Sequence, residues 1–199
     1  MKGTGVLQPK RIDAADLYVA LVHYPVYNKR GCIVCTAVTN LDIHDLARCA
    51  GTFGVGVVYF VNPLDSQREL IARIIRHWTE GLGARYNPIR KGVFDRVRVR
   101  VTLGEVVDEI SQVRGQRVRT VATGAAWYKG AVSYEEMRRL LHRGTEPYLL
   151  ILGTGWGLAR EILDNSDYVL APIEGVSDYN HLSVRSAGAI MLDRLMGNR

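Results

Sequence analysis

Two hydrophobic patterns alternate along this chain. The first is the short, uninterrupted apolar run: Leu17-Tyr-Val-Ala-Leu-Val22, Val55-Gly-Val-Val-Tyr-Phe-Val61, Tyr148-Leu-Leu-Ile-Leu152 and Tyr168-Val-Leu-Ala171. Runs of this length without a polar face belong to strands buried on both sides. Val118–Ala122 reads as a further strand ending in Thr123-Gly124, and Cys32–Ala37 as a shorter extended stretch. The second pattern is helical. Thr39 or Asn40 can cap a helix with Asp42 in its first turn, where an acid meets the positive end of the helix dipole. Ile43, Leu46, Ala47 and Ala50 then share one face, and Phe53-Gly54 ends it. Ser66 opens an amphipathic helix striped by Leu70, Ile71, Ile74, Ile75 and Trp78, with Gly81 and Gly83 closing it. Further helices are predicted over Leu103–Val113, from Ser133 to Gly144, over Leu158–Leu163, and from Leu182 to about Leu195. Arg96-Val-Arg-Val-Arg-Val101 alternates strictly, which predicts a strand with one apolar and one basic face. Strands that alternate with helices predict an α/β fold: a mostly parallel sheet with helices on both faces, in a single domain over residues 1–199. Met1–Asp13 shows no period and reads as a lead-in.

Composition narrows the class. With 47% apolar and 23% charged residues, the 199-residue chain is an ordinary globular one. It has no apolar run long enough for a transmembrane helix, and Met1–Leu7 lacks the core of a signal peptide, so the expectation is a cytoplasmic protein without membrane contact. Cys32 and Cys35 have C-x-x-C spacing, but no second pair or histidine stands at ligand spacing, so no metal is expected. Alternation along a strand would bury the two thiols on opposite faces. The balance of 26 basic to 20 acidic residues gives +6, which favours a polyanionic partner. Arg96, Arg98 and Arg100 share a strand face, flanked in sequence by Arg85, Arg90, Lys91, Arg114, Arg117 and Arg119. That group reads either as an RNA-backbone patch or as an edge strand protected by charge. Trp127 and Tyr128 offer stacking surfaces, although core packing is the expectation for Trp127.

The candidate chemistry concentrates in the last quarter. Strand Tyr148–Leu152 runs into Gly153-Thr-Gly-Trp-Gly157, and strand Tyr168–Ala171 runs into Pro172-Ile-Glu-Gly-Val-Ser-Asp-Tyr-Asn-His181. Each loop opens a helix, and in open α/β sheets ligands bind beyond the carboxyl ends of strands. Three glycines in five positions allow backbone to approach a flat ligand, with Leu152, Ile173 and Leu182 as apolar walls. The glycine spacing and its late position differ from a dinucleotide fingerprint. Asp178 and Glu174 are acids of the same loop, able to balance a cationic ligand or, for Asp178, to cap the following helix.

Leu150-Ile-Leu-Gly-Thr-Gly-Trp-Gly-Leu158, then Ala171-Pro-Ile-x-Gly175, then His181-Leu-Ser-Val-x-x-Ala187, resemble the two cofactor motifs of the SPOUT class, the trefoil-knotted RNA methyltransferases. Arg48-Cys-Ala-Gly-Thr-Phe-Gly-Val55 is similar to the first motif of that class's ribose-methylating branch. His23–Lys29 and Thr39–Asp45 resemble a bacterial SPOUT family described only as RNA methyltransferases. The resemblance implies a C-terminal trefoil knot, S-adenosylmethionine as cofactor, tRNA or rRNA as substrate, and a homodimer through the knot region. It implies cofactor contacts from Thr123, Gly124, Leu152, Gly153, Thr154, Gly155, Gly157, Ala171, Pro172, Ile173, Gly175, Tyr179, Asn180, His181, Leu182 and Ser183. For catalysis it points to Arg48, with Asn40 and His181. The family's Asn six positions before the arginine is Asp42 here, with Asn40 two residues earlier, and His181 stands where the last motif commonly has Asn. Those departures motivate a second reading, a non-catalytic knotted RNA-binding factor. A dinucleotide-dependent oxidoreductase is the third.

Overall fold

A computed structural model of the chain describes residues 16–144, 146–177 and 179–198. Its strands are β1 (Leu17–Val22), β2 (Val26–Tyr27), β3 (Ile33–Val34), β4 (Val58–Val61), β5 (Val97–Arg100), β6 (Arg119–Ala122), β7 (Tyr148–Gly153) and β8 (Tyr168–Val169). Its helices are α1 (Asn40–Phe53), α2 (Asp65–Thr79), α3 (Leu82–Tyr86), α4 (Pro88–Phe94), α5 (Leu103–Arg114), α6 (Tyr134–Arg143), α7 (Arg160–Asn165) and α8 (Val184–Met196). Six strands make one sheet in the order β5-β4-β1-β7-β6-β8, every pairing parallel, while β2 and β3 form a separate antiparallel hairpin.

Alternation along the central strand explains the layers. Leu17, Val19 and Leu21 enter one apolar core with residues of α1, α2, α6 and α8, whereas Tyr18, Ala20 and Val22 enter a second with residues of α5 and α7. Both sides of β1 are therefore dry, which is why its sequence shows no polar period. Of the helix starts read from sequence, those of α1 and α6 carry their caps, whereas α2 begins at Asp65, before Ser66, and its N-cap Leu64 makes no side-chain cap bond. Thr39 and Asp42 close a capping box on α1, Ser133 caps α6, and Gly54 and Gly144 end those helices in the left-handed conformation.

After β8, at the far edge beside β6, the chain returns across the carboxyl ends of β6 and β7 into α8. This helix lies against α1 and α6. Leu192 and Leu195 of its apolar stripe are buried within the subunit. The crossing is tight: a Cβ at Gly188 would stand 2.9 Å from Leu46 Cδ2 and 3.2 Å from Leu152 Cδ1.

Several expectations change. Cys32 is exposed, not buried, because β3 spans only Ile33–Val34 and the alternation has no strand to act on. Trp127 is also exposed, its indole donating to Glu174 Oε1 at 2.7 Å instead of entering the core. Beyond Gly81, over a stretch for which the sequence pattern predicts no element, two short helices form. Gly83 packs on Trp78 and His77, and Asn87 caps α4 with Pro88 at its first position. Helix α8 begins at Val184, capped by Ser183, not at Leu182. Asp178 and the Met1–Asp13 segment lie outside the described residues.

The arginine-rich strand β5 is a sheet edge. Arg100 pairs with Glu109 at 2.6 Å, Arg96 donates to the Val55 carbonyl, and Arg98 donates to the carbonyls of Asp95 and Val97. Nearby, Arg114 pairs with Asp16, and Arg117 and Arg119 converge on Asp167. Arg100, Arg114, Arg117 and Arg119 are thus neutralised within the fold, whereas Arg96 and Arg98 meet only backbone carbonyls. Strand β5 is an edge lined with charge, as the protected-edge reading requires.

Candidate cofactor site

A cleft of about 720 Å³ opens at the carboxyl end of the sheet. That size suits one small organic ligand. Three loops meet there: the turn after β6 supplies Thr123, Gly124 and Ala125, the turn after β7 supplies Gly153, Thr154, Gly155, Trp156 and Gly157, and the returning segment supplies Asn180, His181, Leu182 and Ser183. Leu152 and Ile173 add apolar wall. Most of the expected cofactor residues are thus brought together. Ala171 and Pro172 are buried and outside the lining, and Gly175 and Tyr179 are exposed outside it. Glu174, expected to balance a cation, instead accepts from Trp127 outside the cleft.

The glycine loop is held by the chain's other end. Trp156 N–H donates to the Tyr27 carbonyl at 2.8 Å, Tyr27 N–H to Gly157 at 2.9 Å, and Ala159 N–H to Pro25 at 3.1 Å. The glycines are needed for this docking as much as for ligand access. Gly155 has φ +60° and a Cβ there would fall 2.7 Å from the Tyr27 carbonyl oxygen. Asn180 fastens the third loop to the first by donating from Nδ2 to the Ala125 carbonyl at 3.0 Å.

Beneath the cleft runs a short polar chain. Thr154 Oγ1 donates to the Val22 carbonyl at 3.1 Å. A hydroxyl has one proton, so the 2.5 Å bond between Thr36 and Thr154 is donated by Thr36. Thr36 must then accept from His23 Nδ1 at 3.0 Å, which assigns the Nδ1–H tautomer from the network. The remaining ring nitrogen, Nε2, is buried without a partner among the described residues. Burial pushes the His23 pKa down to about 4, against a smaller upward pull from Asp42, so the ring is neutral at pH 7.

Asp42 lines the cleft from the first turn of α1. Its carboxylate accepts from Thr39 Oγ1 at 2.6 Å and lies 3.4 Å from Arg185 Nε. Arg185, on α8, also reaches Asp45 at 3.0 Å, so one guanidinium ties the two helices. The acid at the family's asparagine position thus serves as half of a capping box and half of an ion pair. Arg48 is exposed one turn beyond Asp45, in a second groove of about 470 Å³ shared with Thr52, Arg185 and Ser186. Asn40 is exposed at the start of α1 and lines neither space. His181 stands at the mouth of the cleft, 5.8 Å from the Trp156 ring and 5.3 Å from Tyr179. Of the three residues implicated in catalysis, then, only His181 borders the cleft.

Sequence reasoning missed Thr36, Ala37, Trp156, Val184, Ala187 and Met191, and Asp42 figured only as a first-turn acid and as a departure from a motif. The last three belong to the inward stripe of α8, at i, i+3 and i+7, a signal that helical spacing carries. Thr36 and Ala37 carry none, because they reach the cleft from a hairpin more than a hundred residues away in sequence.

Residues 16–197 match the model of a family described as SAM-dependent RNA methyltransferase. A relative in Oleidesulfovibrio alaskensis, named tRNA (guanine-N(1)-)-methyltransferase, is 45% identical over 92% of this chain. The chain spans 42% of that protein's length. Among solved structures, the Aquifex aeolicus TrmH/SpoU tRNA modifying enzyme shares the fold with TM-score 0.53 at 20% identity, over 91% of this chain and 74% of that one. The SpoU methyltransferase AviRb from Streptomyces viridochromogenes, solved with AdoMet, superposes with TM-score 0.56 at 16% identity, over 92% and 57%. The chain belongs to the SAM-dependent RNA methyltransferase family and has the SPOUT fold, with its trefoil knot at the C-terminal loops.

Proposed function

We propose that this chain transfers the methyl group of S-adenosylmethionine to tRNA, as a homodimer. The observation that carries the reading is the meeting of three loops at the sheet's carboxyl end in one cleft of about 720 Å³, lined mainly by backbone, small residues and apolar walls. That lining fits an adenosyl group. Leu152, Ile173 and Leu182 would cover the flat base, and the 153–157 and 123–125 backbones would supply hydrogen bonds that leave no side-chain signature. The cofactor's sulfonium supplies an electrophilic methyl group, so the reaction requires no metal.

The chain's own task is to hold the acceptor in line and to manage its proton. The exposed imidazole of His181, at the cleft mouth, would take that proton. Arg48 would clamp a phosphate or stabilise a developing anion. It stands outside the cleft of its own subunit, which suits action on a neighbouring one. Exposed Trp156, Val176, Tyr179 and Leu182 give the knot loops an apolar surface of the kind a second copy covers. The substrate class follows the name of the O. alaskensis relative. The acceptor atom is not carried over from it, because more than half of that protein lies outside the match.

The test is labelled methyl transfer from S-adenosylmethionine into tRNA, followed by nucleoside mass spectrometry. A methylated nucleoside formed with this protein and absent without it is the expected outcome. Tight cofactor binding with no transfer into any tRNA would sink the tRNA reading. Sedimentation, and restoration of activity on mixing Arg48→Ala with a cleft variant, tests the shared site.

A further inference from the structure

We infer that the substrate RNA docks on the face made by α3, α4 and the outer end of α1. The inference rests on the reading of the chain as an RNA methyltransferase and adds where the RNA lies. Its starting point is an uneven distribution of paired charge. Around β5 and β6, Arg100, Arg114, Arg117 and Arg119 meet carboxylates, while Arg96 and Arg98 spend donors on the carbonyls of Val55, Asp95 and Val97. Between Leu70 and Phe94 the chain carries five bases, Arg73, Arg76, Arg85, Arg90 and Lys91, against one acid, Glu80. Arg85 on α3 and Lys91 on α4 are exposed, as are Arg73 and Arg76 on the neighbouring α2, and none of the ion pairs among the described residues includes them.

Apolar surface is interleaved with this charge. Tyr86 is 90% exposed, Ile89 87% and Leu82 75%. The two short helices that carry them pack on α2, and α4 also on α1. Arg90 lies 4.7 Å above the Trp78 ring, and the His44 ring of α1 meets Trp78 and Phe94 edge-on at 5.2 and 4.9 Å. An exposed tyrosine among unpaired cations matches unstacked RNA, whose bases stack on aromatic rings while its phosphates take up the charge. A hydrophobic partner or a second copy would leave those cations without counter-charge, which decides between the occupants.

Position connects this face to the chemistry. Helix α4 lies on α1 where Gly51 faces Val93, so close that a Cβ would fall 2.5 Å from Val93 Cγ1. Along α1 from there stand Arg48 and then Asp42 at the cleft. Nine residues of helix rise about 14 Å. RNA held on α3 and α4 is therefore a short reach from the cleft, with Arg48 between.

The experiment measures tRNA affinity of the full chain across a salt series, with cofactor affinity and melting temperature recorded alongside. For the double variant Arg85→Glu/Lys91→Glu, the expected result is binding weakened by about tenfold and a log–log salt slope reduced by about 2. Tyr86→Ala should weaken binding several-fold with the slope retained. Cofactor affinity and melting temperature should not move. Unchanged tRNA affinity in both variants overturns the inference while leaving the methyltransferase reading intact. A change in sedimentation with tRNA affinity retained assigns the face to a protein partner and overturns it equally. Failure of the unaltered chain to bind any RNA removes both this inference and the function on which it rests.

Discussion

The cleft at the sheet's carboxyl end and the α1–α4 flank share a helix yet are built from different material. In the cleft, polar contacts come from backbone and short side chains already bonded within the fold: Thr154 by Val22 and Thr36, Asn180 by Ala125, and the 154–159 segment by Pro25 and Tyr27. On the flank, the polar atoms sit at the ends of long exposed side chains, Arg48, Arg85 and Lys91, and the half-buried Arg90 lies over the Trp78 ring. The first arrangement is set before a ligand arrives, so its geometry is bound up with the stability of the fold. The second is set only on contact, so it can be altered with little effect on folding. Asp42 and Arg48 stand about 9 Å apart along α1, one in each region.

This contrast can be broken most sharply at Gly155. Its replacement by alanine combines a left-handed backbone with a 2.7 Å approach to the Tyr27 carbonyl. We expect a loss of about 3 kcal/mol by urea unfolding, together with loss of cofactor binding. A Gly155→Ala protein as stable as the parent would show that the loop is not held as described.

His23 comes next. Its native pKa, near 4, lies below its ordinary 6.5. The unfolded ring takes up a proton first as pH falls, so stability is complete above pH 6.5 and declines between 6.5 and 4, by about 3 kcal/mol in all. His23→Asn keeps a donor toward Thr36 and removes the titration, and should flatten that limb. His23→Gln places its amide nearer the Nε2 position and should lose the Thr36 bond. An unchanged limb in His23→Asn would assign it to another group. Smaller still is Arg185→Ala, which unties α1 from α8 at a half-exposed ion pair. About 1 kcal/mol is expected from thermal unfolding. At the small end, Arg48→Ala should shift stability by less than about 0.5 kcal/mol while reducing methyl transfer at least tenfold at unchanged cofactor affinity. Full turnover in that variant would remove Arg48 from the mechanism.

Much of this was legible beforehand. Uninterrupted apolar runs mark β1, β4 and β7 because these strands are dry on both faces. Thr39, Ser133 and Gly144 mark helix ends because the signal is local, a side chain or a left-handed turn within a few residues. Helices α3 and α4 were not legible. Three of their apolar positions, Leu82, Tyr86 and Ile89, face outward, and only Val93 and Phe94 at the end of α4 pack inward, too few to make a stripe. The cleft was half legible. Its glycine loops announce themselves in sequence, whereas Thr36 and Ala37 arrive from the hairpin side without any local mark.

The amino-acid sequence alone determined the alternation of strand and helix, the caps of α1 and α6, and the glycine loop 153–157 that lines the cleft, since each depends on contacts within a few residues or on the dryness of a strand. Only the tertiary structure decided which cations remain free, that Arg48 stands outside the cleft, and which tautomer His23 adopts. Those outcomes depend on partners brought together from distant segments, Asp167 to Arg119, Arg185 to Asp42, Thr154 to Thr36. No spacing along a chain encodes a contact that exists only once the sheet has ordered its strands and the last helix has come back across them.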